Sequence, residues 1–153
     1  MDSSAPITFD DSLWPLLLVR FPSVVSNQRQ DEYLTRLLTY LRRGERYVGL
    51  MDTYLLKTMS MEQRLRQADF IKQHEELFRQ CSLGTASVVA SPFMALMARI
   101  LIHLKPMPVP YYVAPTLTSA VAWAAERLDL AGLDAPAERV RCHFGLHLGR
   151  RAG

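Results

Sequence analysis

The spacing of hydrophobic and polar positions changes several times along this chain, and each change predicts an element. Ile7-Thr8-Phe9 alternates and runs into the turn-forming Asp10-Asp11-Ser12, which reads as a short edge strand. A second strand follows through Leu16-Leu17-Leu18-Val19-Arg20-Phe21, with Pro15 at its start, where a strand tolerates proline. Leu34, Leu37, Leu38 and Leu41 then recur at i, i+3, i+4 and i+7, one face of a helix. Asn27 and Gln30 have the spacing of a capping box that would open this helix, with Asp31 and Glu32 in its first turn. Gly44 would stop it.

Tyr47 to Met51 is five uncharged residues ending on the carboxylate of Asp52. Such a run predicts a strand buried on both faces, in the middle of a sheet. Ser60-Met61-Glu62-Gln63 is a second capping box and predicts a helix from Ser60 to Cys81. Its expected inward stripe is Met61, Leu65, Ala68, Ile71 and Phe78, widened by Phe70 and Leu77. Ala86 to Ala90 reads as a third buried strand, and Ser91-Pro92 as an N-cap with proline at the first helical position. The helix that follows, to Leu104, is apolar nearly all round. Arg99 and His103 are four apart and should mark its solvent side, leaving Phe93, Leu96, Ile100 and Leu104 to meet the sheet. Tyr111-Tyr112-Val113, beside prolines, suits a sheet edge, and a last helix starts at Thr118 or Ser119 and runs through Leu128. Asp129 to Pro136 is turn-rich, and three glycines after residue 137 discourage a further helix.

The order β-β-α-β-α-β-α-β-α predicts an α/β domain with an open mixed, mostly parallel five-stranded sheet and about four helices. The expected divisions are an N-terminal tail over 1–6, one domain over 7–128, and a linker and basic, flexible tail over 129–153.

Composition narrows the classes. With 153 residues, 49% hydrophobic and 22% charged, the chain suits one globular core. No apolar run approaches the ~20 residues of a bilayer span. The start is acidic and polar, unlike a secretory leader. Two cysteines, Cys81 and Cys142, make no disulfide framework, so reduced thiols and a cytoplasmic location are expected. The net charge of +3 resides in residues 137–153, where Arg139, Arg141, Arg150 and Arg151 stand against Glu138. The remaining residues balance, so no nucleic-acid partner is expected, since phosphate binding needs a clustered basic face. The tail arginines would offer at most weak contact with an acidic surface.

Four features carry a family resemblance: the element order, the Tyr47–Asp52 run, the helix capped by Ser60, and the stretch from Leu104 to Tyr111 ahead of Ala120-Val121-Ala122-Trp123-Ala124. Together they resemble the SpoIIAA-like fold of STAS domains (sulfate transporter and anti-sigma-factor antagonist), in particular small stand-alone bacterial members of myxobacterial type. The likeness covers roughly residues 7 to 128, a domain's length. It implies a helix-backed mixed sheet and a regulatory binding module in signalling. Phospho-switch members of that family carry an Asp-Ser-Ser-Gly-like motif where this chain has Thr58-Met59-Ser60-Met61. The glycine and the second serine are missing, so their serine phosphorylation switch is not implied here.

The binding surface is expected at the carboxyl ends of the strands, where open α/β sheets place their ligands. The candidates there are Ser23, Asp52, Thr53, Tyr54, Ser60, Ser91 and Thr116, joined by Met94 and Met97 of the apolar helix. Ser60 is a possible phosphosite, because a phosphate at a helix N-terminus meets unpaired N–H groups. Plain N-capping explains the same serine completely and is preferred. Asp52 suits a cation, a partner amide or an arginine, or else a turn carboxylate accepting the N–H of Tyr54. Cys142-His143 and His147 have metal-like spacing but lack a full ligand set, so no metal and no cofactor are expected. No nucleophile elbow, phosphate-binding glycine loop or zinc helix occurs, which argues against an enzyme. The expected function is therefore a cytoplasmic regulatory module that binds a protein partner or itself. The alternative is a carrier of a small apolar ligand or lipid, with a closed pocket lined by Met59, Phe93, Met94 and Met97.

Overall fold

A computed structural model describes residues 3–146. Its elements are β1 (Thr8–Asp10), β2 (Leu16–Arg20), α1 (Asn27–Leu41), β3 (Tyr47–Asp52), α2 (Met61–Gln73), α3 (Glu75–Cys81), β4 (Ser82–Val88), α4 (Pro92–Leu104), β5 (Tyr111–Ala114), α5 (Leu117–Leu130) and α6 (Asp134–His143). The five strands lie in chain order across one open sheet. β1 runs antiparallel to β2, and every other neighbour pair is parallel. The α/β class and the mostly parallel five-stranded sheet are as expected, whereas the described residues hold six helices rather than about four.

Strand alternation splits the core in two. Leu17, Val19 and Tyr47 face a cluster built with α1, α2 and α3. Leu16, Leu18, Val48, Leu50, Ala86 and Val88 face a second cluster built with α5 and α6. Burial on both faces explains why β2 and β3 read as continuous apolar runs. The strands advance steadily from β2 to β5, so right-handed crossovers put α1, α2 and α4 on one side of the sheet.

The extra helices come from two departures. The segment expected as one helix from Ser60 to Cys81 breaks at His74, whose ring lies 4.7 Å from that of Phe70. The break brings Phe70 and Phe78 edge-on at 6.2 Å inside the first cluster. At the other end, 134–143 is a helix where a linker and flexible tail were expected. Ala137 and Val140 are fully buried against the second cluster, so core extends past residue 128. Arg141 pairs with Asp129, and Arg139 donates to the Trp14 carbonyl at 2.8 Å. These two arginines tie the helix to the body instead of lying loose in solvent. Gly145, at φ 72°, ends α6: the N–H of Leu146 closes back on the Arg141 carbonyl at 2.8 Å. The glycine taken as helix-discouraging is the helix's stop. His147, Arg150 and Arg151 lie outside the described residues, as does the proposed metal spacing that needs His147.

α1 also opens one residue earlier than its sequence suggested. Ser26, not Asn27, is the N-cap, its hydroxyl accepting the N–H of Arg29 at 3.1 Å. This places Asp31 and Glu32 beyond the first turn.

Candidate functional site

The carboxyl ends of β2, β3 and β4 are laced together by the backbone. The N–H of Phe21 reaches the Asp52 carbonyl at 3.0 Å, and the N–H of Lys57 reaches the Ser23 carbonyl at 3.0 Å. Thr53 donates twice to the Val88 carbonyl, from its N–H at 3.2 Å and its hydroxyl at 2.6 Å. The loop after β3 is thereby fixed to the start of the β4–α4 connection.

The side chains of Asp52, Thr53, Ser60, Ser91 and Thr116 each have an internal partner. Asp52 accepts the N–H of Tyr54 at 3.1 Å through one oxygen and lies 3.7 Å from the Arg20 guanidinium through the other. It sits as a turn carboxylate. Ser60 and Gln63 form a full reciprocal capping box, both bonds at 3.0 Å. Ser91 caps α4 by accepting the N–H of Met94 at 3.3 Å. Thr116 caps α5 by accepting the N–H of Ser119 at 3.1 Å. The hydroxyls at the strand ends therefore serve as helix caps, each satisfying a backbone donor that the helix cannot.

Phe70, Ile71, Leu77 and Phe78 face the first cluster as expected, but the start of α2 is turned the other way. Its inward stripe carries amides: Gln63 donates to the Val25 carbonyl at 2.7 Å, and Gln67 to the Tyr33 hydroxyl at 3.3 Å. Gln30 of α1 completes the tie by donating to the Gln63 carbonyl at 2.8 Å. Gln30 and Gln63 are buried. Buried amides must be paired, and these three partners fix α2's rotation on α1. Met61 and Leu65, expected inside, point to solvent at 69% and 57% exposure.

A second reversal concerns α4. Ala95 is its buried residue, and Ala98 and Ile102 are half-buried on the same side. Phe93, Leu96, Ile100 and Leu104, expected to meet the sheet, are exposed, as are Met94, Met97 and Leu101. The cause is position. α4 sits over β5, the outer strand, and Arg99 donates to the carbonyl of Val113 at 3.3 Å. Arg99 thus reaches the sheet edge with its guanidinium while, like His103, it remains exposed to solvent. The sheet surface on that side is small and polar: Thr85 and Ser87 face it, and the Ser87 and Tyr111 hydroxyls bond to each other. Burial holds the Tyr111 phenol above its ordinary pKa. Such a surface admits alanines closely and gives large side chains nothing to fill.

Large apolar side chains also stand open at this end of the molecule. Tyr54 and Leu55 project from the β3–α2 loop at 57% and 66% exposure. Met61 and Leu65 of α2 and the outward residues of α4 are exposed as well. Monomeric proteins seldom leave an apolar helix face like that of α4 uncovered without a use for it. Tyr54, Met94 and Met97 were expected as contact residues, whereas Phe93, Leu96, Ile100 and Leu104 were assigned inward because sequence logic sends the largest apolar residues to the core. The one available signal was that α4 is apolar around a circumference of which a sheet can cover only part.

A cavity of about 140 Å³ lies across the sheet, between β1, β2 and the end of α6. Asp10, Arg20 and His143 line it with Leu16, Leu18 and Phe144. Hydrogen bonds from Ser12 hold the Asp10 carboxyl below its usual range. Among the described residues, no group of three His, Cys, Asp or Glu side chains is placed to hold a metal ion, and no helix is long and apolar enough to cross a membrane. No protein-family model matches the chain, and no curated protein matches it.

Proposed function

We propose that this protein is a non-enzymatic regulatory module of SpoIIAA-like, STAS type that acts by binding protein. The contact surface is the carboxyl end of the sheet, around Asp52, Thr53, Tyr54 and Ser60, together with Met94 and Met97 of α4. One observation carries this reading: the outward face of α4 is uncovered and apolar. Apolar surface with aromatic and methionine side chains is the composition of a contact patch. The polar groups beside it cap helices and close turns, which gives the patch a firm frame and leaves little chemistry for catalysis. A carrier of apolar ligands draws less support, because Phe93, Met94 and Met97 face solvent instead of lining a cavity.

The test is capture by the immobilised full chain from its native cell, with wild type beside a Tyr54→Glu, Leu55→Glu double variant. A partner retained by the wild type and lost by the variant, at equal melting temperature, supports the module. Equal retention by both, or a bound lipid in the mass spectrum of the natively purified protein, overturns it.

A further inference from the structure

We infer that the occupant of the α4 face is a second copy of this chain, paired about a two-fold axis through an antiparallel α4–α4 contact. The inference rests on the reading of α4 as a protein-contact face and names which protein covers it.

The spacing along the ridge is the first argument. Phe93, Met97, Ile100 and Leu104 point away from the body, separated by four, three and four residues. That is the spacing of a coiled-coil seam, in which each side chain fits between those of a facing helix. Leu96 and Leu101 flank the seam on either side and are also exposed. α4 is a helix built to pack against another helix, and none among the described residues covers it.

Self-complementarity is the second. A two-fold axis passing between Met97 and Ile100 sets Phe93 opposite Leu104 of the second copy, and Met97 opposite its Ile100. An isologous interface needs such reciprocal pairs. The seam itself bears no charge. Arg99 is turned to the Val113 carbonyl, away from the ridge. His103 would come opposite Met94 of the second copy, leaving the two histidines about 13 Å apart along the helix axis. No like charges meet. An acidic partner, by contrast, would find no free cation on the seam, and an anionic lipid surface would find the basic flank of an interfacial helix reduced to His103 and Lys105.

The third argument is area. Seven large apolar residues of α4 are 39% to 70% exposed. At roughly 200 Å² per large side chain they offer roughly 700 Å². A standard interface buries about 800 Å² on each partner.

Sedimentation velocity on the full chain tests this. The wild type should be a dimer, and Met97→Glu should weaken it by about a hundredfold or more, with an unchanged melting curve. Disulfide trapping in a Cys142→Ser background tests the geometry with neutral substitutions, and so stands even if the glutamate variant unfolds. An equimolar mixture of Phe93→Cys and Leu104→Cys chains should cross-link, and neither variant alone should. A wild type that stays monomeric at every concentration overturns the inference. So does a dimer indifferent to Met97→Glu in a folded variant, cross-linking of Phe93→Cys alone, or cosedimentation of a monomer with anionic vesicles. A monomer that still captures a different protein through α4 overturns the second copy alone and leaves the module reading standing.

Discussion

The helices α4 and α5 differ most where their sequences would suggest the reverse. α4 has two polar residues between Pro92 and Leu104, yet Ala95 is its buried residue. α5 carries Thr118, Ser119, Glu126, Arg127 and Asp129, yet Ala120, Val121, Ala124, Ala125 and Leu128 are each fully buried. Position in the sheet decides this. α5 lies across β3 and β4 in the centre and is backed by α6, whereas α4 lies over the edge strand. Side-chain size decides the distance. Four of α5's five buried residues are alanine or valine, which let the helix settle onto Leu50, Ala86 and Val88. Apolar content alone therefore says that a helix has something to bury; its neighbours say whether the burial is internal.

The largest expected effect comes from removing the backing of α5. A chain ending at residue 133 loses Val140 and Ala137 from the second cluster, along with the partly buried Phe144 and Leu146. The lost apolar burial is worth about 5 kcal/mol, a large part of what holds a domain of this size folded. Thermal and urea denaturation of the truncated chain should show a much weaker or absent cooperative transition. Full cooperativity in it would mean that α6 is an accessory and that α5 is held by the sheet alone.

Matched truncations then compare the two helices directly. Leu128→Ala in α5 should cost about 3–5 kcal/mol as a core deletion. Leu96→Ala, at 52% exposure on α4, should change monomer stability by about 0.5 kcal/mol or less. Urea unfolding of both variants at low protein concentration, where no association contributes, gives the contrast. If Leu96→Ala costs as much as Leu128→Ala, the outward face of α4 is buried within the chain itself.

Gly84 sharpens the same point from the sheet side. It sits on β4 at φ 154°, and a Cβ there would lie 2.7 Å from the ring of Trp123 and 3.3 Å from the Pro110 carbonyl oxygen. Trp123 is held by stacking on Tyr112 and by the Arg127 guanidinium over its face, so it has little room to yield. Gly84→Ala should cost about 2–4 kcal/mol through strain and overpacking. Near-Trp fluorescence would report displacement of the ring, and an unchanged spectrum with unchanged stability would show that α5 is not seated as closely as its alanines allow.

How much of this was legible depends on how local the cause is. The strands were readable because burial on two faces writes a continuous apolar run, as in Leu16 to Val19 and Val48 to Leu50. The Ser60 cap was readable because its partner Gln63 is three residues away. α6 had a signal that went unread: Leu133, Ala137, Val140 and Phe144 keep helical spacing, and Pro136 falls in the first turn, where a missing N–H costs nothing. The rotations of α2 and α4 were not readable. They depend on Gln63 reaching the Val25 carbonyl and Arg99 reaching the Val113 carbonyl, pairings across 38 and 14 residues that no periodicity encodes. Both put large apolar residues outside, so the same cause hid Phe93, Leu96, Ile100 and Leu104, while Tyr54, Met94 and Met97 were expected at the surface.

The smallest expected effect lies beside that surface, at Ser60. Its hydroxyl accepts the N–H of Gln63 while the Gln63 side chain accepts the N–H of Ser60, and the same amide donates to the Val25 carbonyl. Ser60 thus aligns the residue that ties α2 to α1. Ser60→Ala removes one acceptor and should cost about 1 kcal/mol. Ser60→Asp restores the acceptor, adds negative charge at the positive end of the α2 dipole, and should cost close to nothing. Chemical denaturation of the two variants tests the cap. Ser60 is also solvent-exposed and follows the loop that carries Tyr54 and Leu55, so a charge there reaches the contact patch. If Ser60→Asp keeps full stability and full partner capture, Ser60 is a cap and nothing more. If it keeps stability and abolishes capture, negative charge at this helix start is a switch, and α2 joins α4 as a face whose structural and binding duties are separate.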